Sequence, residues 1–296
     1  DELNGISFGA VGRNTIVENL EVYSTFDDGI EMFGGAVNFT NFVAVYVRDD
    51  AIDIDEGYSG TITNALVIQS ETDGNHCVEA DGVGSFSSLS AAEVDAQIAQ
   101  GINSRPTINN LTCIISPNGS GTATHDPGAG WRLREGIFPT INNALVVGSF
   151  AVADTTSGND NYCLRIDNRS QDAAQDGDLA LNSVIFACEE ATRGQTFPDG
   201  TTTEESFATA GGNVFATITG ATDATANADT DLQVLEGVTP GFSIDYATSV
   251  VDGAAPTGTA PATGFSGALS EGAVNWAADW SFGVFPDNRS QALWFE

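Results

Sequence analysis

Six segments of the chain repeat one short pattern: "TIVENLEV", "NFTNFVAV", "TITNALVI", "TINNLTCI", "TINNALVV" and "ALNSVIFA". Asn19, Asn41, Asn64, Asn110 and Asn143 fall in one column, which Ser183 continues. The first two steps, 19 to 41 and 41 to 64, are 22 and 23 residues long. A second set alternates with the first: "DDGIEMFGG", "DDAIDIDEG", "GNHCVEADG", then the shorter "GWRLREG" and "CLRID". Two short strands per turn of about 22 residues is the pattern of a parallel β-helix, whose coils stack about 4.8 Å apart with like residues on like. The expected fold is all-β: a single-stranded, right-handed parallel β-helix (solenoid) with an inward asparagine ladder hydrogen-bonded along the axis.

Period-two alternation in the second set puts Ile30, Met32, Ile52, Ile54, Val78, Ala80, Leu133, Leu164 and Ile166 in the core. The coils are expected over 1–190, with a helical insertion about 85–104. Ser90 and Glu93 stand in capping-box spacing there, so the helix should run near 91–99 and end at Gly101. Residues 191–296 read as irregular terminal coils, a long loop and a C-terminal cap of the same domain. "GNVFATITG" and "LQVLEGVTPGFSIDYA" are their firm apolar islands. Trp276, Trp280, Phe282, Phe285, Trp294 and Phe295 supply aromatic surface to cover the open end of the core.

Charge narrows the partners. Of 296 residues, 41 are acidic and nine basic, all nine of them arginine, for a net charge of −32. Such a surface repels nucleic acid and anionic membranes and attracts divalent cations, and it suits a saline or marine habitat. The longest apolar run, "NALVVGSFAVA", is too short to cross a bilayer, so no membrane insertion is expected. Position 1 is Asp with no charged-then-apolar leader after it, so an export signal is expected to have been removed or to lie outside this chain.

The outward positions form two columns: Glu31, Asp53, Glu79, Arg132, Arg165, and beside it Phe33, Asp55, Asp81, Arg134, Asp167. Neighbouring carboxylates about 5 Å apart repel by roughly 3 kcal/mol at an effective dielectric near 20. Ca²⁺ would offset that cost, with Asp53, Asp55, Glu79 and Asp81 as its ligands; solvent and the arginines of the same columns are the alternatives. Asp28, Asp50 and His76 share a further column, and a His beside an Asp can act as acid or base. His125, in "THDPGAG", sits in a loop with less claim to chemistry. Cys77, Cys113, Cys163 and Cys188 lack C-x-x-C clustering, which disfavours zinc. Disulfides Cys77–Cys113 and Cys163–Cys188 fit the coils best among three possible pairings, with buried free thiols as the alternative, and they imply an oxidising compartment.

The stretches "DELNGISFGAVGRNTIVENLEVY", "DDGIEMFGGAVNFTNFVAV", "DDAIDIDEGYSGTITNALVIQ" and "FSGALSEGAVNWAADWSFGVF" resemble a group of secreted bacterial β-helix proteins, the hypothetical surface lipoproteins, over roughly the first 85 and last 30 residues. That resemblance implies an extracellular or cell-surface protein of a bacterium, and a chain that begins partway along a longer helix. A weaker resemblance runs to polygalacturonase-like enzymes, through Asp49 and Asp50, "GNHC" around His76, and "LRID" at Arg165. Here no Asn-Thr-Asp precedes the Asp pair, the Gly-His-Gly is broken, and no lysine exists. A pectate-lyase-like site would need calcium and an arginine base, which places Arg132 or Arg134 beside Asp81.

Two functions follow as expectations. The first is a non-enzymatic extracellular scaffold with a flat acidic, cation-binding face. Ile6 and Phe8 sit at an uncovered N-terminal edge there, so coils could stack end-on into filaments with other copies, or surface glycans could be met. The alternative is a polysaccharide-active enzyme, a glycoside hydrolase or lyase, using Asp50, Asp53, His76, Arg132 and Arg165. A groove where Asp, His and Arg converge would separate the second from the first.

Overall fold

The computed structural model describes residues 3–116, 118, 126–148, 161–188, 190–216, 243–245, 264–269 and 276–294. In chain order the elements are β1 (Ile6–Gly9), β2 (Ile16–Tyr23), β3 (Ile30–Phe33), β4 (Asn38–Val45), β5 (Ile52–Asp55), β6 (Thr61–Ile68) and β7 (His76–Asp81). Then come α1 (Ala91–Gln100), β8 (Thr107–Ile114), β9 (Ala129–Arg134), β10 (Thr140–Val147), β11 (Tyr162–Ile166), α2 (Ser170–Asp176), β12 (Ala180–Ala187) and β13 (Glu190–Thr192). α3 (Glu204–Ala210), β14 (Val214–Ala216), β15 (Ser243–Asp245) and β16 (Phe265–Gly267) complete the described strands and α-helices, beside short 3-10 turns at Phe86–Ser88 and Pro286–Asn288. Odd-numbered strands β1 to β13 form one seven-stranded sheet, even-numbered β2 to β14 a second, each in chain order. Every pairing within these two sheets is parallel. That is a parallel β-helix.

Register follows the alternation. Ile6, Ile30, Ile52, Val78, Trp131 and Leu164 stack in one inward column, and Phe8, Met32, Ile54, Ala80 and Leu133 in the next, with Ile166 following. From Ile30 and Met32 onward these side chains are buried in one continuous core. Each buried aliphatic side chain contributes roughly 1.5–3 kcal/mol relative to exposure, so an inward charge such as Ile52→Asp would break a whole coil. Gly130 precedes Trp131 because the backbones close in there: an added Cβ would lie 2.2 Å from the Cys163 carbonyl oxygen. Both expected disulfides are present, Cys77–Cys113 and Cys163–Cys188.

The asparagine column forms the ladder, with Nδ2 of Asn41, Asn64, Asn110 and Asn143 donating to Oδ1 of the preceding asparagine at 2.8–2.9 Å. Its position differs from the inward one expected. Asn19, Asn41, Asn64, Asn110, Asn143 and Ser183 all have φ between 55° and 63°, and the paired register skips each of them. Each long strand is thus two arms joined by a one-residue left-handed corner, a conformation asparagine tolerates better than most residues. Asn19 is exposed and only Asn143 is buried among these asparagines. At Asn143, Oδ1 accepts from Gly267 N at 3.2 Å while Nδ2 also reaches Gly267 O at 3.3 Å. Asn109, Asn142 and Asn182 make a second ladder on the outward side.

Helix α1 has the capping box of Ser90 and Glu93 and ends at Gly101, as its sequence predicts. The aromatic C-terminal segment takes another place than expected. Instead of closing an end of the core it lies across the outside of the even-numbered sheet, where Ala268, Leu269, Ala277, Val284 and Leu293 pack on Val43, Val45, Leu66, Ile68 and Ile114. Those strand residues alternate with inward ones, so both faces of the second arm are apolar and need a cover. Trp276 and Trp294 fix the segment through Nε1–H bonds to Ala268 O and Gln69 O. The C-terminal coil is met instead by α3, with Phe197 and Ala208 inside the core cluster and Phe207 and Phe215 against it. The sheets continue past residue 190 through β13 and β14. Most of the two apolar islands, with His125 and Phe295, lies outside the described residues. No described helix is long and apolar enough to cross a membrane.

Candidate functional site

The outward columns of the odd-numbered sheet have the register read from sequence. Glu31, Asp53, Glu79, Arg132 and Arg165 stand side by side on β3, β5, β7, β9 and β11, and Phe33 pairs with Asp55 and Asp81 with Arg134 in the neighbouring column. Just before these strands runs an acidic ladder. Asp28 Oδ1 accepts from Asp50 N at 3.1 Å, and Asp50 Oδ1 accepts from His76 N at 2.7 Å.

Burial and crowding keep these carboxyls protonated to unusually high pH. Asp28 is lifted to about 9, chiefly by burial and then by Asp50 and Asp49. Asp50 is pushed well above the carboxylate range by burial, Glu79 and Asp49, and Asp53 by burial, Asp50 and Asp28. Oxygens of Asp28, Asp50 and Asp53 lie within 4.8 Å of one another, as do ligand atoms of Asp50, His76 and Glu79, and of Asp27, Asp28 and Asp49. Among the four expected metal ligands, the structure brings Asp53 and Glu79 into such groups, each with partners from the preceding column. Glu79 and Asp81 also serve ion pairs: Glu79 meets Arg132 Nη1 at 3.1 Å and Arg134 Nη2 at 2.8 Å, and Asp81 meets Arg134 Nε. Asp55 caps the next residue, accepting from Glu56 N.

His76 is 6% exposed and held at both ring nitrogens, Nδ1 by Asp50 Oδ1 at 2.7 Å and Nε2 by the Tyr162 hydroxyl at 2.9 Å. Burial lowers its pKa to about 4; Arg132 and Arg134 reinforce the fall and Glu79 opposes it. The ring is therefore neutral near pH 7. Because Asp50 Oδ1 already accepts the His76 backbone N–H, the network assigns the ring proton to Nδ1, which leaves the Nε2 lone pair to accept from Tyr162. Burial also raises the Tyr162 phenol, against the pull of Arg165 and Arg132.

Tyr162 is a site residue that sequence reasoning missed. Continuing the Trp131–Leu164 register back by two residues sets Tyr162 beside Ala129, which itself pairs with His76. The column is thus Asp28, Asp50, His76, Ala129, Tyr162. The small Ala129 leaves room for the histidine and the tyrosine to meet across it, so extending the Asp–Asp–His column by two coils would have found the partner.

Beyond this pair a pocket of about 230 Å³ opens, lined by Asn75, His76, Asp126, Arg132, Tyr162 and Arg165 among others. Arg165 Nη2 meets Asp167 Oδ2 at 2.6 Å, and Arg132 Nη2 approaches the same oxygen at 3.6 Å. The Nε of each arginine and Asp167 Oδ1 are buried with no hydrogen-bond partner. Of the five expected catalytic residues, His76, Arg132 and Arg165 therefore meet in one pocket, Asp50 stands behind His76, and Asp53 belongs to the acidic group one step away. Asp50 and Asp53 sit too close for an inverting pair, which needs about 6.5–9.5 Å between carboxyls to admit a water.

Residues 1–239 match the family model of the pectate-lyase-like beta helix domain. Comparison with curated proteins returns no match, and neither does comparison with solved structures. With the parallel sheets, their register and this match in agreement, the chain belongs to the pectate-lyase-like β-helix domain family.

Proposed function

We propose that this protein is an exported enzyme that cleaves an acidic polysaccharide by β-elimination, with the His76–Tyr162–Arg132–Arg165 pocket as its active site. The observation that carries this is the convergence, in one pocket, of a neutral histidine, a phenol hydrogen-bonded to it, and two arginines whose Nε–H groups lack protein partners. A flat scaffold face has no use for that combination. The family match and the buried disulfides support an extracellular setting, and the −32 charge supports a saline one.

In this mechanism a uronate carboxylate lies against Arg132 and Arg165. Charge-assisted bonds to the guanidiniums neutralise it and make the adjacent C5–H more acidic. Tyr162 removes that proton as its own hydroxyl proton passes to His76 Nε2, and Asp50 holds the ring with Nε2 facing the phenol. The C5–H and C4–O4 bonds break and a C4=C5 double bond forms. The proton returns through Tyr162 to O4 of the departing saccharide, which restores the neutral histidine. Asp28, Asp50 and Asp53 fit a hard divalent cation such as Ca²⁺, because they are crowded, buried and oxygen-only. Bound there, the ion would neutralise the acidic group and add positive potential near the substrate.

The test is to incubate the protein with pectate, alginate and glucuronan-type polymers, with calcium or with chelator, and follow the ultraviolet absorbance of the new double bond. Turnover that Tyr162→Phe nearly abolishes and Arg132→Ala slows, in kcat as well as KM, is the expected result. No unsaturated product from any uronate polymer would overturn the enzyme and return the acidic face to a scaffold role.

A further inference from the structure

A second groove lies away from the outward columns, between the C-terminal segment and the loops that follow β4 and β6. Its volume is about 540 Å³, and Tyr46, Arg48, Glu71, Asp73, Gln291 and Trp294 are among its walls. Tyr46 and Trp294 supply its aromatic walls, and further rings adjoin Tyr46 and Arg48. Tyr23 meets Tyr46 at 5.9 Å and Phe282 at 5.4 Å between ring centroids, and Arg48 lies 4.6 Å over Phe26. Phe26 is 65% exposed and Phe282 51%, a costly arrangement for large apolar rings unless something covers them. Tyr46 holds φ at 57°, as Ser24 does at 55° one coil earlier, so the left-handed corner that follows β2 and β4 sets Tyr46 in the groove wall.

The polar groups complement the rings. Asp73 Oδ2 accepts from Arg48 Nε at 2.9 Å, giving a planar fork on the floor beside the Glu71 carboxylate. One guanidinium against two carboxylates disfavours an anionic ligand. Flat apolar rings beside planar donors and acceptors match a pyranose, which presents a C–H face for stacking and hydroxyls at its edge. We infer that this groove is a binding site for a neutral polysaccharide chain, separate from the elimination pocket and independent of its chemistry. The two sites are linked through Asp73, whose Oδ1 accepts from the backbone N–H of Asp126, a wall of the first pocket. A neutral chain held here would anchor the protein on a mixed glycan while the first pocket works on uronate segments.

Calorimetry and tryptophan fluorescence with the full chain test this, using cellohexaose and mannohexaose as neutral probes and a hexa-uronate as the acidic one. Saturable binding of a neutral hexamer is expected. Phe26→Ala and Tyr46→Gly should each weaken it at least tenfold; Phe26→Ala should keep the wild-type unfolding midpoint because Phe26 is exposed, whereas Tyr46 packs against the second core cluster, so Tyr46→Gly is read at a temperature where its melting curve shows it folded. His76→Ala should leave neutral binding intact, which separates this site from the elimination pocket. No binding of either neutral hexamer at 10 mM (roughly the weakest range of a single-groove contact), binding untouched by both variants, or preference for the uronate would overturn the inference.

Discussion

The outer face of the odd-numbered sheet changes character between β5 and β9. On β3 and β5 and in the turns before them its acidic groups pack against one another, and Asp28, Asp50 and Asp53 are lifted far above their ordinary range by burial and by neighbouring carboxylates. On β9 and β11 the same columns carry Arg132, Arg134 and Arg165, and β7 is the seam where Glu79 and Asp81 pair with the first arginines. The two regions share backbone, spacing and register. They differ only in the sign of what is stacked, so one half is incomplete without a proton or cation and the other offers donors to an anion. His76 stands on the seam and faces both.

The largest effect should come from disabling the arginine side of the seam. Tyr162→Phe keeps the ring and loses the proton carrier, and elimination should fall by about 10³-fold, near 4 kcal/mol in barrier, read from initial rates. Asp53→Asn, in the acidic half, should cost far less when calcium is saturating. Equal losses would erase the distinction between the halves. Next is the Cys77–Cys113 bridge, which ties β7 at the seam to β8. Replacing both cysteines with alanine should lower the unfolding free energy by about 3–4 kcal/mol in denaturant titrations, the chain-entropy value for a closed loop 36 residues long.

Smaller effects separate the halves by pH. Asp28 has a folded pKa of about 9 against an ordinary 3.8, so folding takes up a proton; its stabilising contribution is complete below about 3.8 and is lost as pH climbs towards 9. His76 runs the other way. Its folded pKa of about 4 lies under the ordinary 6.5, so its contribution is complete above 6.5 and is lost as pH falls towards 4. In chelator, Asp28→Asn should therefore raise stability at pH 8 by about 1–2 kcal/mol, change little at pH 4, and blunt the rise in unfolding midpoint that calcium gives the wild type. Melting curves across pH with and without calcium would show it; a variant less stable at pH 8 would contradict the crowding. Of similar size, Asn64→Gly keeps the left-handed corner and removes the two ladder bonds that Asn64 makes with Asn41 and Asn110, for a loss of about 1–2 kcal/mol, while Asn64→Ala should lose about 1 kcal/mol more because it also strains φ.

Much of this architecture was legible because a β-helix repeats its reasoning at every coil. Ile52, Asp53 and Ile54 reveal alternation locally, and the same alternation at 30–32 and 78–80 fixes which residues become neighbours. The columns and the disulfides followed from that, and α1 from its Ser90–Glu93 capping pair. What the repeat hides is any feature that uses one coil differently. The asparagines were expected inside because ladders of amides suit burial, yet a residue that must turn the chain with positive φ belongs at a corner. The aromatic tail was expected at an end because ends need covering. The second arms of β4, β6 and β8, apolar on both faces through Val43, Leu66 and Ile114, supplied a larger surface. In the site, His76, Arg132 and Arg165 came from the pattern, while Tyr162 was obscured by the long insertion before it and by the alanine between it and His76.

The asparagine ladder has a direction, since every Nδ2 points to the coil before it, and it meets a foreign partner at Asn143, where Gly267 supplies both a donor and an acceptor. The next position in the column is Ser183, a shorter side chain. The tail therefore docks at one defined rung, four steps beyond Asn19, and works as a length gauge. A chain with one coil added or removed between Asn64 and Asn143 would bring its tail to the wrong rung and leave Trp294 without its carbonyl partner on the coils, Gln69 O. Coil number in this protein is thus fixed from outside the coils, by the segment that measures them.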